Sequence, residues 1–431
     1  MSEKGEELAR AAAESAARAS YGKLIAFIAA RTNDVAAAED AVSQAFTAAL
    51  LDWPANGIPD RPEAWLIAVA RRKLIDSARR QASGAKASEH LRLITDELEA
   101  AATGDPDVPD DRLRLMFACA HPAIESTIRA PLILQTILGF DAAEIASAFL
   151  VSPAAMSQRL VRAKTKIREA RVPFRIPERA ELHPRLDSVL EAIYATFAEN
   201  WTDASGTEAR RRNLADEAVW LGRLVASLLP EEPETLGLLA LMLYSEARRP
   251  ARRDTQGNYV PLANQDPAAW NGELVEEAEA LLSRASRVVL SDATKRVTSD
   301  AAAAVGIGRY QLEAAIQSAH VVRWTTGQAD WAAIARLYEA LSSLTGSPVV
   351  EINRAIAVAE TDGPAAGIAV LDAVANDTRL ADYQPYWAAR AELLARTGEI
   401  EASDQAYQRA IGLEPDPAVR RFLQQRRASL R

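Results

Sequence analysis

The sequence predicts an all-α protein: two small helical domains joined by an acidic linker, then a C-terminal α-helical repeat domain. Apolar residues recur at spacings of three and four, Ala and Leu dominate, and alternation of β-branched residues is rare, so helices are favoured over strands. A length of 431 residues favours two or three domains. Breaks that carry proline or glycine separate helical blocks at 1–81, 112–175 and 184–431, with the linker at 82–111.

The overall composition excludes several classes of protein. Hydrophobic residues make up 49% and charged residues 25%, values typical of globular proteins. No window approaches the ~18 apolar residues of a membrane span, and the N-terminus has no apolar signal region, so we expect a cytoplasmic protein without membrane contact. The single cysteine and the scattered histidines predict no metal site and no cofactor. No carboxylate stands in a setting that suggests catalysis, so we expect no enzymatic activity.

The charge is unevenly distributed along the chain. The net charge is −9, but residues 1–180 hold 24 basic and 24 acidic residues, so the negative excess lies in the C-terminal part. Residues 61–80 contain six basic and two acidic residues, and residues 159–179 contain eight basic and two acidic. Residues 93–111 contain seven acidic residues and no basic ones. Local basic stripes of this kind are typical of contact with nucleic-acid phosphates.

The first block contains two predicted helices of different character. Residues 34–53 have an acidic start, followed by an apolar stripe formed by Val42, Phe46 and Leu50. Residues 61–81 form a basic helix whose apolar side consists of Trp65, Leu66, Val69 and Leu74. We expect Trp65 to pack in the core. The basic face of the second helix is either a solubilising surface or a site for nucleic acid.

The second block predicts a helix-turn-helix over residues 141–170. Asp141 is a natural N-cap with Glu144 at the capping-box position, and Ile145, Ala146 and Phe149 give a short apolar face. A break follows, after which Ser152 caps a second helix that starts at Pro153. The apolar face of this second helix is formed by Met156, Leu160, Ala163 and Ile167.

The second helix of this unit carries a basic and polar face. Side chains near the N-terminus of such a helix meet base edges in the major groove, and later Arg and Lys residues reach phosphates. The predicted DNA-binding residues are Ser157, Gln158, Arg159, Arg162, Lys164 and Lys166. The alternative interpretation is an amphipathic helical hairpin with a solvated basic face. In the same block, Cys119 is either a redox-sensitive thiol or, as we favour, a buried packing residue.

The C-terminal block shows repeat character. Residues 386–417 fit the tetratricopeptide template of two antiparallel helices, and 349–375 resemble a degenerate sister unit. The residues at or near template positions are Trp387, Leu394, Gly398, Tyr407, Ala410 and Pro415. A repeat array presents a concave surface that is commonly used for protein contacts. The arginine-rich segment 245–271 is either a docking or ligand loop, or an ordered connection whose polar side chains satisfy its own backbone.

Two segments resemble the sigma-70 superfamily of RNA polymerase sigma factors, and specifically its extracytoplasmic-function group. AEDAVSQAFTAAL followed by AWLIAVARRKLIDSARRQ resembles region 2 of that group, and AAEIASAFLVSPAAMSQRLVRAKTKIREA resembles its region 4. The order and spacing agree over roughly residues 20–172. The C-terminal block resembles the extension of a subgroup with a tetratricopeptide-like domain.

The resemblance implies partners and residue roles. It implies binding to core RNA polymerase through its β′ and β subunits, and to promoter DNA. The residues implied to contact polymerase are Glu39, Asp40, Gln44 and Phe46. Those implied to bind the −10 element are Asn56, Arg71, Arg72, Lys73, Asp76, Arg79 and Arg80, with the loop at 54–60 as the base pocket. The 153–166 helix is implied to bind the −35 element, and the acidic linker to enter the RNA exit channel.

The sequence departs from the family at the start of the second basic helix. Many relatives carry Thr and Lys where this chain has Ala155 and Ser157, so fewer base-reading donors remain there. We expect the C-terminal domain to control activity, with intramolecular contact to the sigma regions as one route. Two other classes stay open: a helix-turn-helix regulator that never binds core polymerase, and a tetratricopeptide-like scaffold for protein interactions. The segment 34–81 distinguishes a sigma factor from a helix-turn-helix regulator, because such a regulator has no need of this segment.

Overall fold

The fold is known from a computed structural model, which describes residues 3–81, 110–149, 151–201, 209–297 and 307–430. The side chains of some helical residues, including Arg79 and Arg80, lie outside this description. Within these ranges the chain forms α-helices and no β-strand, which confirms the predicted all-α class. The predicted acidic linker lies outside the described residues except for its last two positions, Asp110 and Asp111.

The chain divides into two compact units, Met1–Thr196 and Phe197–Arg431. The helices of the first unit are α1 (Glu3–Thr32), α2 (Val35–Asn56), α3 (Pro62–Gln81), α4 (Arg112–Cys119), α5 (Ser126–Leu138), α6 (Ala142–Ala148) and α7 (Pro153–Glu169). Helix α8 (Arg179–Trp201) crosses the division, which therefore lies beyond the predicted domain start at residue 184.

Helix α1 holds the first unit together because it packs against α2, α4 and α5. A Cβ at Gly22 would lie 2.1 Å from the backbone oxygen of Ile137, so only glycine permits this approach of α1 to α5. At the end of α1, Arg31 lies over the ring of Phe27 and forms a 3.0 Å ion pair with Asp111. The two helical blocks that the sequence predicts as separate domains thus belong to one packed unit.

The second unit is a succession of helices joined mostly by short turns. They are α9 (Ala209–Leu228), α10 (Pro233–Ala247), α11 (Gly272–Val297), α12 (Arg309–Thr326), α13 (Trp331–Thr345), α14 (Pro348–Thr361), α15 (Pro364–Ala373), α16 (Gln384–Thr397), α17 (Ile400–Leu413) and α18 (Pro417–Ala428). Consecutive members pack on one another from α9 to α18, as expected of hairpins.

The last hairpins contain the residues that suggested a repeat. Gly398 turns the chain between α16 and α17 with a left-handed φ of +85°, a conformation that favours glycine. Leu394, Tyr407 and Ala410 are buried in one cluster across this turn. In the preceding pair, a Cβ at Gly367 would lie 2.6 Å from the oxygen of Ala355, so α15 approaches α14 closely. Assignment to the tetratricopeptide class stays a prediction.

The arginine-rich segment between α10 and α11 is ordered by its own polar groups. Three short 3₁₀ turns, Arg249–Arg252, Leu262–Asn264 and Pro267–Ala269, alternate with extended backbone. Arg253 and Tyr259 form an isolated antiparallel bridge. The carboxylate of Asp254 accepts hydrogen bonds from the backbone amides of Gln256 and Asn258 at 2.9 and 2.8 Å. The segment therefore is an ordered connection.

Candidate functional site

Helix α2 buries a face made mainly of alanine. Asp34 begins the helix, and its side chain accepts a hydrogen bond from the amide of Ala37 at 3.0 Å. The buried residues are Val35, Ala38, Ala41, Val42, Ala45, Ala49 and Trp53. Phe46 is half-buried and Leu50 is 47% exposed. The predicted apolar stripe through Val42, Phe46 and Leu50 is therefore wrong at Leu50. The helix instead packs closely through an adjacent face that is lined by small alanines.

The opposite face of α2 is open to solvent and carries two of the predicted polymerase contacts. Asp40 and Gln44 are exposed, and Leu51 lies further along this face with 76% of its surface exposed. An apolar side chain in the middle of a polar face is unfavourable in water unless a partner covers it. Leu51 was absent from the sequence prediction. Its position seven residues after Gln44, two helical turns on, was the available signal.

Glu39 and Lys164, which were predicted to bind different partners, form an ion pair with each other. The ammonium nitrogen of Lys164 on α7 lies 2.5 Å from a carboxylate oxygen of Glu39 on α2, and both side chains are largely buried, at 11% and 16% exposure. A second, more exposed pair joins Arg168 to Asp34 at 3.4 Å. Two ion pairs thus tie α7 to α2.

The carboxylate of Glu39 lies in an environment that penalises its charge. Burial raises its pKa, while the charge and hydrogen bond of Lys164 act in the opposite direction. The other carboxylate oxygen, Oε1, is buried without a hydrogen-bond partner. The charge of Glu39 also raises the pKa of Tyr21, although burial of that phenol is the larger cause. Lys164 is therefore the main group that opposes this rise in the pKa of Glu39.

The end of α2 corrects the predicted base pocket. Residues 54–56, expected in a loop, form the last turn of the helix, which closes when the amide of Gly57 donates to the oxygen of Trp53 at 3.0 Å. Gly57 then leaves the helix with a φ of +88°. Asn56 is exposed and its amide donates to Asp52 at 2.8 Å, one turn earlier. The connection to α3 is thus shorter than predicted, since Pro54 is accommodated inside the helix.

Helix α3 carries most of the residues predicted to bind the −10 element. Arg72 and Asp76 are exposed, whereas Arg71 and Lys73 are half-buried. Trp65 is half-buried and packs edge-to-face on Trp53 with ring centroids 5.6 Å apart, so it anchors α3 to α2. Arg79 and Arg80 lie in the last turns of α3, but their side chains are outside the described residues.

Helices α6 and α7 begin with the caps that the sequence predicts. Asp141 accepts from the amides of Ala143 and Glu144 at 2.8 Å, while Glu144 accepts from the amide of Asp141 at 2.8 Å, which completes the capping box. Ser152 accepts from the amide of Ala155 at 3.3 Å and Pro153 opens α7. The buried face of α7 is Met156, Leu160, Ala163 and Ile167, as predicted.

The exposed face of α7 contains most of the predicted −35 contacts. The exposed members are Ser157, Gln158, Arg159, Arg162 and Lys166. Arg162 donates to Gln158 at 3.4 Å across one turn, a weak contact that leaves both side chains in solvent. Lys164 differs from the other members because its side chain turns toward α2. Five of the six predicted residues are therefore available at the surface, and the sixth is engaged within the protein.

The first three helices fall within a known family. Residues 17–84, which include most of α1 and all of α2 and α3, match the Sigma-70 region 2 family. The region 2 match supports assignment to the sigma-70 superfamily. Region 2 is the part of sigma factors that binds core RNA polymerase, which supports polymerase as a partner and a sigma-factor-like role. The region 2 family consists of transcription factors without enzymatic activity.

Two further comparisons bear on the rest of the chain. Residues 185–286 match a family of unknown function, DUF6596. An uncharacterised protein of Rhizobium meliloti (strain 1021), R00370, is 38% identical over 380 residues, which cover 87% of this chain and 86% of the relative. The two proteins thus share nearly their whole length. No solved structure matches the chain.

The described residues offer no metal site and no membrane span. In those ranges, no group of three or more His, Cys, Asp and Glu side chains is arranged to hold a metal ion. None of the helices described combines the length and apolar composition needed to cross a membrane. The polar surfaces of α2, α3 and α7 are therefore the candidate site of the first unit.

Proposed function

We propose that the chain is an extracytoplasmic-function sigma factor with a tetratricopeptide-like C-terminal domain. It binds core polymerase, recognises the −10 and −35 promoter elements and directs transcription initiation. The observation that carries this proposal is the region 2 match over residues 17–84, because it contains both α2 and α3 in one segment. A DNA-binding regulator that acts without polymerase has no use for this segment.

The exposed face of α2 is the proposed polymerase contact. Asp40 and Gln44 supply polar groups, and the exposed Leu51 supplies apolar area of the kind found at the centre of interfaces. Phe46, the remaining predicted contact, is half-buried and lies on another side of the helix. Glu39 contributes only if its ion pair with Lys164 opens, because that pair buries most of its side chain.

The proposed −10 contact lies at the end of α2 and along α3. Asn56 and Arg72 are exposed, and Lys73 and Arg71 border them on α3, where Asp76 is also exposed. Cations beside a helix surface hold the phosphates of a separated strand, while bases are captured by stacking and hydrogen bonds. Arg79 and Arg80 extend this basic segment toward the end of the helix.

The proposed −35 contact is the exposed face of α7. Ser157, Gln158 and Arg159 lie in its first two turns, where side chains of a recognition helix reach base edges. Arg162 and Lys166 lie further along and are suited to phosphates. Lys164 joins this surface only after it leaves Glu39, so its use in DNA binding requires that α7 separates from α2.

The second unit is the proposed regulatory domain, and the division after Thr196 gives a rational end point for removing it. A chain cut near residue 180 would lose the buried Leu182, Leu186 and Val189 of α8, which the structure assigns to the first unit. Transcription by the full chain and by residues 1–196 should therefore differ. Equal activity of the two would contradict a regulatory role.

Run-off transcription with core polymerase of the same host, on fragments of its genomic DNA, tests the proposed function. We expect discrete transcripts that require the chain. Arg159→Ala and Arg162→Ala should lower their yield about tenfold each. Arg162→Ala should also reduce the salt dependence of promoter binding by about one unit of slope, because a phosphate contact is lost. Arg287→Ala, on the exposed surface of α11, is the matched control and should leave the yield unchanged.

Core binding separates this proposal from its two alternatives. A pull-down with core polymerase should retain the full chain, and Asp40→Ala with Leu51→Ala should weaken retention without unfolding the chain, because both side chains are exposed. DNA binding without retention on polymerase would instead identify a regulator of the helix-turn-helix class. Absence of both activities would leave a protein-interaction scaffold.

A further inference from the structure

The contact between α2 and α7 joins two surfaces that are proposed to bind different partners. Lys164 belongs to the predicted −35 set on α7 and Glu39 to the predicted polymerase set on α2, yet their charged groups lie 2.5 Å apart. One helical turn after Lys164, Arg168 lies 3.4 Å from Asp34, the residue that caps α2. Two cations of α7 are thus engaged by two carboxylates of α2.

These two cations continue a line on α7 that begins with a predicted base reader. The line runs along one side of the helix at spacings of four, three and four residues, and it consists of Ser157, Val161, Lys164 and Arg168. At its start, Ser157 and Val161 are exposed. Helix α2 contacts its second half, where the side chain of Lys164 is only 11% exposed. Helix α2 therefore lies directly beside the surface that is proposed to enter the major groove.

The carboxylates of α2 oppose DNA binding in two ways while this contact is closed. Each one neutralises a cation that would otherwise bind a phosphate and release its counterions. Each one also places a negative charge beside the path of the DNA backbone, which it repels. The exposed cations Arg159, Arg162 and Lys166 lie toward the other side of α7 and remain available. The closed chain therefore presents only part of its basic surface to DNA.

The buried ion pair has the features of a contact that can open. Both side chains have lost most of their hydration. Among the described residues, no hydrogen-bond partner reaches the other carboxylate oxygen of Glu39, Oε1, which is also buried. A buried pair that leaves an oxygen unsatisfied contributes little net stability. Helix α7 also packs on α5 and α6, so it has contacts that do not involve α2. Opening the contact to α2 therefore requires little free energy.

We propose that Asp34 and Glu39 of α2 form an autoinhibitory latch that holds Arg168 and Lys164 of α7 away from promoter DNA. The inference rests on the proposed DNA-binding role of α7. When the latch opens, both cations become available to phosphates and Glu39 becomes available to polymerase. One opening serves both surfaces, so polymerase binding at α2 favours DNA binding at α7, and the reverse holds by linkage.

Fluorescence anisotropy of the full chain with a labelled DNA duplex of arbitrary sequence, without polymerase and over a series of salt concentrations, tests the latch. Glu39→Gln removes the charge that holds Lys164 and leaves the sequence of α7 unchanged. We expect this variant to bind DNA about fivefold more tightly, with a slope of log affinity against log salt that is steeper by about one, because one more cation reaches a phosphate. A pair that served structure alone would affect stability and leave this slope as it is.

Two variants separate the latch from simpler effects. Glu191→Gln removes the same charge from an exposed position on α8 in the same unit, so it is the matched control and should leave the slope unchanged. Asp34→Asn releases Arg168 but keeps a side chain that caps α2, so it provides a folded variant if Glu39→Gln is unstable. Its effect should have the same sign and be smaller, because Arg168 is already 55% exposed.

Arg162→Ala distinguishes failure of the latch from failure of the proposed function. It should make the slope shallower by about one if α7 binds DNA, whether or not a latch exists. If it does so while Glu39→Gln and Asp34→Asn bind DNA like the parent, the latch is wrong and the DNA-binding role of α7 stands. If Glu191→Gln tightens binding as much as Glu39→Gln, net charge is the cause and the latch is wrong. If Arg162→Ala leaves the slope unchanged, the DNA-binding role of α7 is wrong, and the latch with it.

Discussion

Gly22 shows how one residue decides the packing of the first unit. A methyl group there would lie 2.1 Å from the backbone oxygen of Ile137, so Gly22→Ala must push α1 away from α5. We expect a loss of about 2–3 kcal/mol in the free energy of unfolding, as for overpacked cores. Calorimetry of the full chain measures it. Gly412→Ala is the control, since beyond its chain neighbours and the adjacent backbone of its own helix no atom lies within 4 Å of the added carbon. It should stabilise the helix by roughly 0.5 kcal/mol.

Cys119 is predicted to be chemically silent. The side chain of Cys119 is fully buried, and its sulfur lies 3.7 Å from the hydroxyl of Thr136. Burial raises the pKa of this thiol to about 12. Only the thiolate reacts, so we expect a native chain at pH 8 to react with a thiol reagent at least about a hundredfold more slowly than the unfolded chain. The rate of absorbance change on adding the reagent, with and without denaturant, measures this. Rapid native reaction would restore the redox interpretation.

At the residue scale, the sequence correctly predicts features that depend only on neighbouring residues, such as helix caps and the buried face of a helix. The caps at Asp141 and Ser152 and the buried face of α7 follow from helical spacing and capping chemistry, and all are found. The predicted burial of Leu50 is wrong because α2 has two possible apolar faces. The face that contains the alanines is buried, since small side chains allow closer packing than large ones. The prediction of a loop at Asn56 is wrong because α2 continues past Pro54 and ends at Asn56.

At the scale of helices, the pairing of Glu39 with Lys164 is open to a double-mutant cycle. Glu39→Gln should destabilise the first unit by about 2–3 kcal/mol, because it leaves the ammonium of Lys164 largely buried without a countercharge. Adding Lys164→Met should recover most of that loss, because no charge then remains at the contact. Urea unfolding of the four proteins gives the coupling free energy.

An exposed pair in the second unit provides the matched control for that cycle. Arg427 and Asp404 lie 2.6 Å apart, but each side chain is 38% exposed. Their coupling should be below about 1 kcal/mol, as is usual for surface pairs. Equal coupling in the two cycles would mean that burial does not strengthen the contact between α2 and α7.

The same contact shows why the sequence predicted the candidate site only in part. Glu39 and Lys164 are 125 residues apart, and nothing in the local pattern of either helix indicates that they meet. Residue types and helical spacing assign each side chain to a face, but they do not say which face is covered by another helix. The five exposed residues of α7 could be identified from spacing alone, whereas the engagement of Lys164 depends on tertiary packing.

At the scale of the whole molecule, the domain boundaries predicted from the sequence differ from the boundaries of the packed units in the structure. The breaks near residues 82–111 suggested two separate N-terminal domains, yet α1 contacts α4 and α5, and α2 contacts α7. Contacts across such a long sequence separation are invisible to composition and periodicity. The second unit was easier to predict, because its consecutive helices pack on their neighbours in sequence.

The charge of the whole molecule leads to a prediction about nonspecific DNA binding. Residues 1–196 carry 25 basic and 27 acidic residues, and residues 197–431 carry 25 basic and 32 acidic, so most of the net negative charge belongs to the second unit. Removing residues 197–431 should raise the affinity for an arbitrary duplex about tenfold at low salt, because a repulsive field is removed while the basic face of α7 is kept. Fluorescence anisotropy at 50 and 200 mM salt measures this, with circular dichroism to check folding. The difference between the two chains should shrink at the higher salt as screening increases. If the full chain and residues 1–196 bind DNA with equal affinity at each salt concentration, the acidic unit does not act on DNA through its charge.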